Sequence, residues 1–140
     1  NMMNHLSDIA GIRIICSFTS DIYQIAEMIA AQGDVTVIHV KDYIKNPKPN
    51  GYKSYHMVVT VPVYLTDGPV ETKVEIQIRS VAMDFWASLE HKIAYKFEGN
   101  APEGLLHELK DCADVVDMLD KKMFSLNEAI TAYAKEQQKL

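Results

Sequence analysis

The chain has 140 residues, of which 48% are hydrophobic and 24% charged, and its formal net charge is -5. Those values suit one domain with a buried core and exclude a disordered or fibrous chain. The acidic total also argues against a general nucleic-acid coat, which depends on excess Lys and Arg, so any anion site has to be local.

In chain order, Ile12 to Phe18 (IRIICSF) is short, β-branched and bounded by Gly11 and Thr19-Ser20, which predicts a buried strand. From Asp21 to Gln32 the positions Ile22, Ile25, Ala26 and Ile29 recur at helical spacing, with Ser20 as the expected cap and Gly33 as the stop. Val35 to Val40 reads as strand. The Pro, Asn and Gly residues that follow predict a loop until about Ser54. Tyr55 to Tyr64 and Val70 to Arg79 are two more strands, and the Asp67-Gly68 pair between them predicts an antiparallel hairpin. Ser80 then opens a helix to about Phe97, with Phe85, Leu89 and Ile93 on one face.

From Leu105 to Tyr133 apolar residues recur at alternating steps of four and three, a heptad pattern through Leu109, Cys112, Val116, Leu119, Met123, Leu126 and Ile130. A continuous helix over Glu103 to Gln138 would be about 50 Å long, more than a domain of this size is wide. Residues 103–138 are therefore expected to carry a homo-oligomer contact, with a helical hairpin folded back on the sheet as the alternative. No apolar run approaches the roughly 18 residues of a bilayer span, and NMMNHLSD lacks the basic-then-apolar order of a signal peptide. A cytoplasmic location with no membrane partner is expected. Cys16 and Cys112 stand in no metal-ligand spacing and are read as buried free thiols.

The loop NPKPNGYKSYH (Asn46 to His56) raises the question of function, because it is basic and aromatic in an acidic chain. Between His39 and His56 stand Lys41, Lys45, Lys48 and Lys53 against the single acid Asp42, a local positive field suited to phosphate. Gly51 allows close backbone approach, Tyr52 offers a ring for stacking on a base, and Ser54 and His56 can donate hydrogen bonds to oxygens. A solvated turn is the plainer alternative. In Val74 to Arg79 the strict alternation puts Glu75, Gln77 and Arg79 on one face and Val74, Ile76 and Ile78 on the other. Asp8, in SDIAGIR at a strand entrance beside Arg13, can hold a metal, although a turn or cap aspartate reads the same way. P-loop, dinucleotide and hydrolase-elbow motifs are absent, so phosphate binding here would not be P-loop binding.

Three segments, DIAGIR (Asp8 to Arg13), KPNGYKSYH (Lys48 to His56) and VEIQIRS (Val74 to Ser80), together resemble the synthetase domain of the RelA/SpoT alarmone enzymes, above all the stand-alone small alarmone synthetases. MDFWASLEHKIAYK (Met83 to Lys96) extends the likeness over nearly the whole chain. The resemblance implies a nucleotidyltransferase-like α/β (α+β) fold, with a mixed, largely antiparallel sheet flanked by helices and a long C-terminal helix. It implies a GTP pyrophosphokinase that moves pyrophosphate from ATP to the 3′-hydroxyl of GTP or GDP with Mg2+, in a tetramer of one domain per chain.

Carried over by the resemblance, Asp8 is a magnesium ligand, and Glu75 contacts magnesium and activates the 3′-hydroxyl. Tyr52 stacks on guanine within an acceptor loop that includes Lys53 and Ser54. Lys48 and His56 meet the acceptor's 5′ phosphates, Gln77 lies in the acceptor site and Arg13 meets the donor phosphates. Relatives carry an upstream helical region with basic ATP-site residues, whereas seven residues precede Asp8 here. The expectation is thus a truncated form in which fold and acceptor loop survive better than ATP affinity. His39 stands where many relatives have the arginine of an RxKD pattern. No histidine is followed by aspartate, which argues against the hydrolase domain of the long members. Two alternatives use the same loop: a non-catalytic guanine-nucleotide sensor, and an RNA-binding module.

Overall fold

The computed structural model of the chain describes residues 10–138. Seven elements follow one another: β1 (Ala10–Cys16), α1 (Thr19–Ala30), β2 (Thr36–Asp42), β3 (Tyr55–Leu65), β4 (Gly68–Ser80), α2 (Val81–Lys96) and α3 (Glu103–Gln138). The strands form one sheet in the order β1-β4-β3-β2. β4 pairs parallel with β1 and antiparallel with β3, and β2 pairs antiparallel with β3, which makes the sheet mixed and largely antiparallel as expected.

β4 sits inside the sheet and its alternation divides the two faces. Val74, Ile76 and Ile78 meet Met57 and Val59 of β3 under Ile22 and Ala26 of α1, and this layer is the main core. Ile22, Met57, Val59 and Ile78 are fully buried, each worth about 1.5–3 kcal/mol of apolar transfer. The other face presents Glu75, Gln77 and Arg79. A tight turn at Thr66-Asp67 joins β3 to β4, with Leu65 paired to Gly68 and φ of 117° at Gly68, a conformation that favours glycine.

Several local expectations change. α1 begins at Thr19 and is closed by Asp21, whose carboxylate accepts from the Phe18 amide at 3.2 Å, so Ser20 lies inside the helix and does not cap it. Ser80 does cap α2, its Oγ accepting from the Met83 amide at 3.2 Å. The buried face of α2 is Met83, Trp86 and Ala87, whereas Phe85 is 74% exposed and Leu89 is exposed too. The reason is α3: Trp86 Nε1 donates to the Leu109 carbonyl at 2.8 Å, which turns the indole side of α2 toward Leu109 and Ala113.

α3 runs unbroken for 36 residues. Its first half packs Leu109 and Ala113 on α2, with Val116 at the margin. Asp120 is only 5% exposed, and its Oδ2 accepts from Ser80 Oγ at 2.8 Å and Thr19 Oγ1 at 2.9 Å, tying α3 to the starts of both other helices. Beyond it Met123, Leu126, Ile130 and Tyr133 are exposed. Cys112 is exposed, contrary to expectation, because Ala113 takes the inward position one residue on. Cys16 is partly buried, and burial, with Asp21 and Asp120 nearby, pushes its thiol up to about 11.

Candidate functional site

The polar face of β4 and the loop before β3 meet in one connected cluster of side chains. Register explains the meeting: Arg13 of β1 lies beside Gln77, Gly11 beside Glu75, and His56 of β3 opposite Gln77. Arg79, 7% exposed, is the hub. Its Nη2 donates to Tyr52 Oη at 2.8 Å and to Gln77 Oε1 at 3.1 Å, and its Nη1 donates to Asp84 at 3.2 Å. Tyr52 Oη in turn lies 3.0 Å from His56 Nε2, and Gln77 Nε2 donates to Glu75 Oε1 at 3.4 Å. His56 Nδ1 faces the same Glu75 oxygen at 4.0 Å. Burial holds the His56 pKa below its ordinary value, and the positive charges of Arg79, Lys48 and Lys41 add to this against the opposing pull of Glu75.

Two concavities adjoin here. One, about 270 Å³, is lined by Gly11, Ile12, Arg13, Glu75 and Gln77, and the other, about 280 Å³, by Arg13, Tyr52, Arg79 and Asp84 among others. Arg13 belongs to both and is 3.8 Å from Asp84, the carboxylate that also holds Arg79. A pair of open depressions with arginine between them, Glu75 in one and Asp84 in the other, is an arrangement able to hold two anionic groups beside a proton acceptor.

The loop is built by its own residues. Asp42 closes its start, accepting from the Ile44 amide at 2.9 Å, the Lys45 amide at 3.0 Å and the Tyr23 hydroxyl at 2.9 Å. Next to that carboxylate, burial and the Asp42 bond push the Tyr23 phenol up to about 12. The Lys48 amide donates to the Tyr52 carbonyl at 3.1 Å, and Lys48 Nζ lies 4.9 Å from the Tyr43 ring centre and 5.2 Å from that of Tyr52. Gly51, at φ of 100°, is pressed against α3: a Cβ there would come within 2.8 Å of Ala113 Cβ and 3.4 Å of the Trp86 ring.

Of the expected site residues, Arg13, Lys48, Tyr52, His56, Glu75 and Gln77 come together. Two do not. Ser54 is fully buried and donates to the Ile78 carbonyl at 3.4 Å, so its hydroxyl serves β3–β4 packing. Lys53 points to α3 and pairs with Asp117 at 3.1 Å. Asp8 lies outside the described residues. Three residues that sequence reasoning left without a role belong to the cluster: Arg79, Asp84, and Tyr43, whose ring meets those of Tyr52 and His56 edge-on at 6.0 and 5.2 Å. An arginine ending a polar strand face with an aspartate five residues on was the available signal for the first two.

The Lys53–Asp117 pair anchors the loop and carries a testable pH dependence. Burial alone would raise the Asp117 carboxyl, but Lys121 and Lys53 outweigh it and hold the carboxyl below its ordinary 3.8. A carboxyl depressed on folding stabilises the fold above its unfolded value, and the contribution is lost as pH falls through the lower folded value. Asp117→Asn should cost about 1 kcal/mol near neutrality, since water still reaches the pair. In urea titrations the gap from wild type should narrow below pH 3.8. A gap independent of pH would show the pair to be idle.

Among the described residues no group of three His, Cys, Asp or Glu side chains is arranged to hold a metal. Glu75, half-exposed beside Gly11 and Arg13, is a hard oxygen donor of the kind magnesium takes. Magnesium commonly uses one or two carboxylates and fills its remaining positions with water and nucleotide phosphate oxygens. The donor set therefore fits an ion held jointly with a bound nucleotide.

A family model described as the region found in RelA / SpoT proteins matches residues 1–100. The chain is 50% identical over 129 residues to GTP pyrophosphokinase YwaC of Bacillus subtilis (strain 168), an alignment covering 92% of this chain and 61% of that protein. It thus spans under two thirds of that relative's length. Among solved structures it is similar to small alarmone synthetase 2 from Bacillus subtilis, with a TM-score of 0.84, 50% identity, and coverage of 89% of this chain and 68% of that one. Small alarmone synthetase 1 from the same organism, bound to its product pppGpp, superposes with a TM-score of 0.82 at 37% identity, over 93% of this chain and 68% of that one.

Proposed function

The chain belongs to the RelA/SpoT family, and we propose that it is a GTP pyrophosphokinase, transferring pyrophosphate from ATP to the ribose 3′-hydroxyl of GTP or GDP. The 3′ oxygen attacks the β-phosphorus of ATP, the bond from that phosphorus to the α-phosphate bridge breaks, AMP leaves, and pppGpp or ppGpp forms. The observation that carries this reading is the position of Glu75, held on a central strand between Gln77, His56 and Arg13 at the floor of an open groove.

The roles follow from reach and chemistry. Glu75 takes the proton of the attacking hydroxyl, which a carboxylate on a rigid strand can do without searching for its geometry. Tyr52 offers its ring to guanine, with Lys48 and His56 toward the acceptor phosphates and Gln77 beside the ribose. Arg13, shared by both depressions, meets the donor phosphates. Glu75, and in this reading also Asp8, would hold a magnesium ion, which when bound would neutralise phosphate oxygen charge. Mixing the chain with magnesium, ATP and GTP should release AMP and pppGpp in equal amounts. GTP binding without AMP release would instead leave a guanine-nucleotide sensor.

We infer further that residues 1–140 act as one synthetase domain whose α3 joins it to other copies as a tetramer. The support is the row of Leu119, Met123, Leu126, Ile130 and Tyr133, all exposed along α3. Light scattering reading only monomer mass at every concentration would remove this inference. Among the described residues no helix is long and apolar enough to cross a membrane, and we assign the reaction to the cytoplasm, where both nucleotides are found.

A further inference from the structure

Glu75 receives two neighbours on the same oxygen. Gln77 Nε2 reaches Oε1 at 3.4 Å, and His56 Nδ1 faces Oε1 at 4.0 Å. Both neighbours are ambiguous groups. A carboxamide can turn either its oxygen or its nitrogen toward a partner, and a neutral imidazole can carry its proton on either nitrogen. If either were turned the wrong way, a lone pair would face the carboxylate and repel it.

Arg79 removes both ambiguities, because a guanidinium only donates. One Nη2 hydrogen goes to Gln77 at 3.1 Å, so the group there must be the amide oxygen, and the amide nitrogen is left on the Glu75 side. The other goes to Tyr52 Oη at 2.8 Å, occupying that oxygen as an acceptor. The phenolic hydrogen then points to the remaining neighbour, His56 Nε2 at 3.0 Å. Nε2 accepts, the ring proton sits on Nδ1, and Nδ1–H faces Glu75.

We propose that Arg79 is a positioning residue that fixes the donor direction of two relays facing Glu75 Oε1, a hydrogen bond from the Gln77 amide and a chain through Tyr52 to His56, whose Nδ1 stands 4.0 Å from that oxygen. Among the described residues both neighbours face Oε1, and Glu75 lines the open groove with Gly11, Ile12, Arg13 and Gln77. Burial of Arg79 and its anchor on Asp84 at 3.2 Å keep the guanidinium from turning. The consequence for the reaction rests on the reading of Glu75 as the group beside the acceptor hydroxyl. The hydrogen-bond directions do not.

The test separates the two. Ring-nitrogen NMR of the 15N-labelled full chain, with His56 assigned by comparison with His56→Asn, reads which nitrogen carries the proton. Wild type should show the Nδ1–H form. Arg79→Met should move His56 toward the Nε2–H form, and Tyr52→Phe, which removes only the relay hydroxyl, should do so in a chain whose fold is intact. Turnover should fall about 10- to 100-fold in both, the usual cost of losing a group that orients a reactive one. In Tyr52→Phe the ring remains, so KM for GTP should move less than about threefold, because the loss falls on kcat. An Nε2–H wild type, an unchanged tautomer in Tyr52→Phe, or unchanged kcat in that variant would each overturn the proposal. A chain that makes no product but shows the tautomer switch would keep the relay and remove the proposed reaction.

Discussion

Glu75→Gln should lower turnover by about 10²- to 10⁴-fold while the GTP concentration needed for half-saturation stays nearly constant, the range expected when a positioned general base is removed. Glutamine keeps the length of the side chain and an oxygen that can accept from Gln77 Nε2, now 3.4 Å from Glu75 Oε1, so the walls of the groove should hold their places. What it lacks is a site for the hydroxyl proton and a charge for a divalent ion. Measuring AMP release at saturating ATP and GTP, with GTP binding followed separately, isolates the loss. Full turnover in this variant would remove the base assignment, and a parallel loss of GTP binding would move Glu75 from chemistry to recognition.

The second large effect is structural and lies at Gly51. Gly51→Ala asks an L-residue to adopt φ of 100° and sets a methyl group 2.8 Å from Ala113 Cβ, a side-chain atom fixed directly to the helix backbone that has no rotamer by which to swing aside. The backbone conformation costs about 1–2 kcal/mol and the overlap about 1–3 kcal/mol. Denaturant unfolding should therefore show a loss of about 2–5 kcal/mol. Because Tyr52 is the next residue, lifting the loop from α3 should also raise KM for GTP more than KM for ATP. Adding Ala113→Gly to the variant relieves the overlap and leaves the backbone strain. Partial recovery is the expected result, and no recovery would show that the loop is not seated on that helix.

Much of the architecture is legible from residue order because it depends on local periodicity. The alternation in Val74 to Arg79 sorts core from polar face without knowledge of any partner strand, and Asp67-Gly68 announces the hairpin. The site is legible for the same reason where its members share that face or the adjacent loop. What could not be read depends on contacts between distant segments. The inward face of α2 is set by one indole bond to α3, so the apolar stripe through Phe85 and Leu89 misleads. Asp120 lies outside the heptad apolar positions yet is buried, because Thr19 and Ser80, both far away in sequence, supply its donors. Lys53 and Ser54 sit within a basic, phosphate-suited run, but α3 and β4 claim them first. Arg79 reads as one more polar residue until the fold brings Tyr52 to it.

The chain contains a single tryptophan, and its ring sits 3.4 Å from the position a Gly51 methyl group would occupy while its N–H is bonded to a carbonyl of the long helix. Intrinsic fluorescence excited at the indole band therefore comes from one place, the junction between the loop before β3 and the long helix. Its colour and intensity make the untagged protein its own optical gauge: a red shift signals water entering that junction, and a quench on adding a guanine nucleotide reports the loop from beneath.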